Sequence, residues 1–147
     1  MCKILIVAGL LSLCSGAAFA DAATAVLDHH VAAMKKGDLE AVLSDYADNA
    51  VIVTPHGIAP GQKEVSGADV FACKAQARKL FATLTDRDHN AGARSMTTRY
   101  EPAGNDTTLM HWVQFKGTPK EVSGTDVWVI RDGKVVFQSV LIDAAKK

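Results

Sequence analysis

The stretch "LMHWVQFKGTPKEVSGTDVWVIRDGKVVFQSVLID", residues 109–143, decides the fold. It is a run of β-branched and aromatic residues cut twice by turn chemistry. The first cut is "GTPK" at 117–120 and the second is "RDGK" at 131–134, a two-residue Asp-Gly hairpin turn. Together with residues 94–102 the run predicts four consecutive strands, at 94–102, 107–116, 121–131 and 134–143. If "GTPK" is a four-residue connection, Lys116 faces Glu121 and His111 faces Asp126. The Asp-Gly turn then sets Asp126 opposite Ser139. Opposed residues share a sheet face. That face would carry Leu109, Val113, Trp128 and Phe137, with His111, Asp126 and Ser139 in a row across it. Trp112 and Gln138 would lie on the other, more polar face. A one-residue slip in the first hairpin would separate His111 from Asp126.

Upstream the periodicity is helical. In "AATAVLDHHVAAMKK", residues 22–36, Val26, Leu27, His30, Val31 and Met34 form one stripe. Gly37 stops this helix and Asp38 caps a short second one carrying Leu39, Val42, Leu43 and Tyr46. "VIVT" at 51–54 is a strand ending at Pro55, and 55–64 reads as a loop. "SGAD" at 66–69 has the spacing of a helix start, followed by Val70, Cys73, Ala77, Leu80, Phe81 and Leu84 on one side. Helices before an antiparallel sheet predict an α+β domain with helices packed on one sheet face.

Residues 1–20 carry one early Lys, an apolar run from Ile4 to Leu13 and the sequence Ala18-Phe19-Ala20. This reads as a cleaved secretory signal, with Asp21 the first residue of a single domain over 21–147 and a periplasmic or secreted destination. No membrane association is expected after cleavage. The 147-residue chain has 16 basic and 16 acidic residues, and its basic residues form no stripe that would suggest nucleic acid. Only Cys73 lies beyond the signal, so no intrachain disulfide is expected. Spacings typical of metal sites, phosphate loops and dinucleotide fingerprints are absent, and no metal or cofactor is expected.

The segment "HHVAAMKKGDLEAVLSDYADNAVIVTPHG" resembles the opening of the nuclear transport factor 2-like superfamily, which includes SnoaL-like proteins and steroid Δ5-3-ketoisomerases. "GTDVWVIRDGKVVFQSVLID" resembles its closing strands. The resemblance implies a cone-shaped fold: N-terminal helices on a curved, mainly antiparallel sheet that encloses an apolar pocket. It implies candidate wall residues Tyr46, Met96, Thr98, Tyr100, Leu109, Val113, Trp128 and Phe137. Ser139, from the strand pairing, and Thr54 and His56, at the end of the first strand, join them as candidate ligand contacts; His56 could reach the cavity mouth and substitute for the isomerases' base. In the isomerases a general-base Asp precedes the Pro that ends the first strand; here that position is Thr54, so this is not a standard ketosteroid isomerase. The position of the isomerases' oxyanion-hole Tyr is His30, and that of the second oxyanion donor is Asp126.

His111 and Asp126, with His30, are therefore the candidate chemical groups. Asp126 could be ionised beside a protonated His111, neutral and donating, or the partner that orients a neutral His111. The expectation is an exported binding protein for a small apolar or amphipathic molecule, dimeric through the sheet, with a His/Asp polar anchor. The alternatives are a cofactor-independent isomerase, dehydratase or cyclase using a His base, and a protein–protein interaction module.

Overall fold

The computed structural model describes residues 15–59 and 64–143. Residues 1–14, most of the expected signal, lie outside the described residues. Helix α1 (Ser15–Lys36) runs into α2 (Leu39–Ser44) through Gly37. Gly37 has φ +72°, and a Cβ there would meet the Thr85 carbonyl oxygen at 2.7 Å, so both conformation and space require glycine. Asp38 caps α2, its Oδ1 accepting from the Ala41 N–H at 3.0 Å. These features follow the expectation. Tyr46 does not extend α2; it opens strand β1 (Tyr46–Pro55), which is longer than "VIVT" alone.

The next segment differs from its sequence reading. Ser66 and Gly67 both have positive φ, 51° and 82°, and form a hairpin turn between β2 (Glu64–Val65) and β3 (Ala68–Phe71). The "SGAD" pattern is thus turn chemistry, because two successive left-handed residues match the twist of a two-residue hairpin. Helix α3 (Lys74–Thr85) starts later and buries Ala77, Leu80 and Phe81. A short α4 (Ala91–Ser95) takes the place of the expected start of the next strand. Then come β4 (Thr97–Pro102), β5 (Thr107–Gln114), β6 (Val122–Arg131) and β7 (Lys134–Ile142).

One seven-stranded sheet results, in the order β2-β3-β1-β7-β6-β5-β4. Among the described strands only β1 and β7 pair in parallel; the other pairs are antiparallel. The sheet is curved and unclosed, and the helices cover its inner face. The core between them holds Leu27, Val42, Tyr46, Ile52, Phe71, Leu80, Phe81, Trp128 and Val135, all essentially inaccessible. No described helix is long and apolar enough to cross a membrane.

The register of the meander corrects the expectation. Met110, not His111, pairs with Asp126, and His111 pairs with Thr125. The reason lies in the connection. Phe115 leaves the β5 ladder with φ +51°, so the last pair is Gln114 with Val122 and residues 115–121 all belong to the loop. Thr118 closes that loop by donating its N–H to the Phe115 carbonyl at 3.1 Å and its hydroxyl to the same oxygen at 2.7 Å. At the second turn Asp132 and Gly133 have φ 52° and 70°, and Ile130 pairs with Val135 as an Asp-Gly turn requires. A bulge then intervenes: Val129 pairs with Phe137, leaving Val136 as the extra residue. Asp126 consequently faces Val140, and Ser139 faces Val127.

Candidate functional site

The slip turns Met110, Trp112 and Gln114 of β5, and Gln138, Val140 and Ile142 of β7, to the same face as Asp126 and Trp128 of β6. These side chains roof a cavity of about 260 Å³. Its floor is built by His30 and Met34 of α1, Leu80, Phe81 and Leu84 of α3, and Ala93 with Met96 around α4. Thr54 and Ile58 close one end. Val122, Ile142 and His89 line the cavity while remaining exposed, which places its opening between the far end of the meander and the α3–α4 loop.

Asp126 is the charged group on this apolar wall, only 4% exposed. Trp112 Nε1 donates to its Oδ1 at 2.7 Å, and Gln138 Nε2 donates to its Oδ2 at 2.8 Å. Gln138 is oriented in turn by Tyr46, whose hydroxyl donates to Oε1 at 2.6 Å. Burial pushes the Tyr46 phenol well above its ordinary range, so it keeps its proton and serves as donor. With Oε1 taken as acceptor, the amide must turn its N–H to Asp126. The chain Tyr46–Gln138–Asp126–Trp112 thus has a single direction. Burial raises the Asp126 carboxyl to about 6, against the pull of its two donors, which stabilise the ionised form.

Trp112 reaches Asp126 because its partner across the strands is Gly124. A Cβ on Gly124 would lie 2.3 Å from the Trp112 ring and 2.3 Å from the Leu141 carbonyl oxygen. The missing side chain is the space in which the indole lies.

His30 is the second polar group. It is 3% exposed, and its ring is met edge-on by Tyr46, Phe81 and Trp128, with centroids at 5.6, 5.6 and 4.9 Å. Burial, with His29 alongside, lowers its pKa to about 3, so it is a neutral imidazole at physiological pH. Trp128 Nε1 is sealed and has no hydrogen-bond partner among the described residues. The site therefore offers a carboxyl that titrates near 6 and an imidazole that is neutral at physiological pH, both set in a mainly apolar wall.

The other anticipated residues are distributed differently. Thr54, Met96 and Trp128 line the cavity with His30 and Asp126. Tyr46 stands behind the lining, as the support of Gln138. Thr98 and Tyr100 are on the inner face but outside the lining, Tyr100 donating to Asp28 Oδ1 at 2.8 Å. His56 is exposed beyond Thr54, with its Nδ1 2.7 Å from Asp69 Oδ1, and does not line the cavity. His111, Leu109, Val113, Phe137 and Ser139 are on the outer face. There His111 bonds Thr125 Oγ1 at 3.0 Å and Glu101 Oε2 at 3.3 Å, well away from Asp126. The expected His111–Asp126 pair does not exist, because a one-residue shift reverses the face of every side chain on β5.

Sequence reasoning misses Trp112, Gln138 and Met110 because the alternation of β5 and β7 is apolar on both faces. The signal that points to them is Gly124, a glycine inside a strand opposite a tryptophan. Among the described residues no three of His, Cys, Asp or Glu converge as a metal site needs.

Comparison with known proteins agrees with this architecture. The SnoaL-like domain family matches residues 27–138. A nuclear transport factor 2-like protein of unknown function from Burkholderia xenovorans LB400 is 18% identical, with 88% of each chain covered and a TM-score of 0.63. A candidate isomerase from Bacillus subtilis is also 18% identical, covering 84% of this chain and 87% of its own, with a TM-score of 0.63. A de novo designed protein with a curved β-sheet is 14% identical over 84% of this chain and 86% of its own, with a TM-score of 0.61. At these identities the likeness concerns the fold. Comparison with curated proteins gives no match. The family match spans most of the chain and coincides with the helix–sheet cone just described: the chain belongs to the SnoaL-like domain family, within the nuclear transport factor 2-like superfamily.

Proposed function

We propose that this protein binds one small, largely apolar molecule in the cavity and holds its polar group with His30 and Asp126. The observation that carries this reading is the placement of these two buried titratable groups on a mainly apolar lining. Asp126 costs free energy to bury, and it lies where a ligand atom could reach it. At about 260 Å³ the cavity is at the small end of ligand sites, which typically span roughly 300–1,000 Å³. It suits a one- or two-ring molecule better than a steroid.

A specific observation favours a second reading, isomerase-type chemistry. Asp126 titrates near 6 and so can both take and give a proton at ordinary pH. Thr54, at the position of the isomerases' base, cannot supply that function, so Asp126 would be the proton carrier and His30 a neutral hydrogen-bonding partner.

The test uses the protein's two tryptophans, which both line the cavity. Titration with one- and two-ring apolar alcohols and ketones should change their fluorescence saturably, and Asp126→Ala should weaken binding of the same ligands. Native mass spectrometry of protein purified from its own compartment should show a retained small molecule at one per chain. An empty protein whose tryptophans respond to no member of the panel would remove the binding reading. Turnover of any bound ketone, lost in Asp126→Ala, would select the isomerase reading.

Two further features belong to this proposal. Residues 1–20 support export to the periplasm or beyond, checked by the N-terminal sequence of the mature protein. The outer sheet face supports a homodimer: Leu109, Val113, Val127 and Phe137 are half-buried there and Leu141 is 55% exposed. Light scattering should give twice the chain mass, and Leu141→Lys should reduce it.

A further inference from the structure

Asp45 carries an inference about which ligands the cavity selects. It ends α2 and precedes Tyr46, and its backbone is pinned on both sides: its N–H bonds the Val42 carbonyl at 3.2 Å, and its carbonyl accepts from Val135 N–H at 2.8 Å. Its side chain is turned under α1, where two adjacent histidines meet one carboxylate. His29 Nδ1 lies 2.7 Å from Oδ1, and His30 Nδ1 lies 3.7 Å from Oδ2. Oδ2 and His30 Nδ1 are both sealed from solvent, and neither has another partner among the described residues. At 3.7 Å they are not hydrogen-bonded; closing to about 2.9 Å would bond them. The other ring nitrogen of His30, Nε2, has no protein partner among the described residues yet is not sealed, and His30 lines the cavity.

A neutral imidazole has one N–H and one lone pair. A lone pair on Nδ1 would point at a carboxylate oxygen and be repelled, whereas an N–H there is attracted. The groups acting on Asp45 are His29 and His30 from α1 and Lys134 from β7, whose Nζ bonds the adjacent Ser44 carbonyl at 2.6 Å. Burial raises the Asp45 carboxyl above its ordinary value, while His29 and Lys134 pull the other way, toward the ionised carboxylate. Tyr46, Phe81 and Trp128 pack around the His30 ring, inclined to it at 68°, 73° and 67°.

We propose that Asp45 is a positioning residue that places the His30 proton on Nδ1, so that the cavity receives a bare Nε2 and prefers ligands that bring a hydrogen-bond donor, an alcohol or phenol over an ether of the same shape. The preference rests on the cavity being the ligand site; the proton position does not.

The test uses the full chain labelled with ¹⁵N-histidine. Long-range ¹H–¹⁵N spectra at pH 7, with His30 assigned by its loss in His30→Phe, should show Nδ1 protonated and Nε2 bare. The reverse assignment overturns the proposal. Asp45→Leu should shift His30 toward the other tautomer, and an unchanged tautomer in a folded variant also overturns it. If that variant does not fold, the wild-type spectrum decides. In the second arm, 1-naphthol should bind roughly tenfold more tightly than 1-methoxynaphthalene, as one added hydrogen bond provides. Equal binding of the two overturns the selectivity. Binding of neither counts against the cavity as a ligand site and so against the selectivity, while the spectrum still decides the role of Asp45.

Discussion

Trp112 donates its indole N–H to Asp126 Oδ1 at 2.7 Å, diagonally across the β5–β6 ladder, over the empty side of Gly124. Sheet register, a missing side chain and a buried carboxyl meet in this one contact. Gly124→Ala should therefore act on both stability and site. The new methyl meets the Leu141 backbone as well as the Trp112 ring, so a rotamer change alone cannot relieve it. Overpacking of this kind costs about 1–3 kcal/mol. Urea unfolding should show the loss, and the near-ultraviolet circular dichroism of Trp112 should change with it. Unaltered spectra and stability would contradict the packing described.

Trp112→Phe keeps most of the ring volume and removes the donor. A hydrogen bond to a charged group is worth about 1.5–3 kcal/mol, or roughly 1–2 pH units of carboxyl titration. The Asp126 pKa should rise from about 6 by that order. A ¹³C-detected carboxyl titration reads it directly, and a carboxyl that titrates unchanged would show that Trp112 does not support the ionised form.

Two buried groups should leave opposite marks on acid stability. His30 titrates near 6.5 when unfolded and about 3 when folded, so its contribution is present above 6.5 and is lost as pH falls toward 3. Asp126 rises from 3.8 to about 6 on folding, so its contribution is full below 3.8 and is lost as pH rises through 6. Between about pH 4 and 6 the two slopes nearly cancel, each being about 1.4 kcal/mol per unit. His30→Phe removes one of them. Relative to wild type, the variant should gain on the order of 3 kcal/mol on going from pH 6 to pH 4. Denaturant midpoints across that range test this; a parallel pH profile for the two proteins would refute it.

His111→Ala separates the two faces of β5. Its contacts to Thr125 and the exposed Glu101 are on the outer face, and such pairs contribute about 0–1 kcal/mol. The variant should keep wild-type stability within that range and bind cavity ligands unchanged, whereas Asp126→Ala should not. Loss of ligand affinity in His111→Ala would restore the pairing that the register excludes.

The order of parts is legible in the amino-acid sequence alone. Gly37 and Asp38 punctuate the first helices because positive φ and side-chain capping are local requirements. The Asp-Gly turn at 132–133 is local in the same sense, and it makes the last hairpin readable at its tip. "SGAD" misleads for a related reason: a capping pattern and a two-residue turn use the same small polar residues, and only the pairing of β2 with β3 separates them.

The site is decided at a longer range. His30 and Asp126 can be named from sequence, but their surroundings cannot. Alternation specifies a face only when one face is clearly polar, and on β5 and β7 apolar residues fall in both alternate sets. Two backbone events settle the matter: Phe115 leaving the ladder in a left-handed conformation and Val136 bulging from β7. Each moves the chain by a single residue. Because side chains in a strand repeat every second residue, that step exchanges His111 for Trp112 and Ser139 for Gln138 beside the buried carboxyl of Asp126.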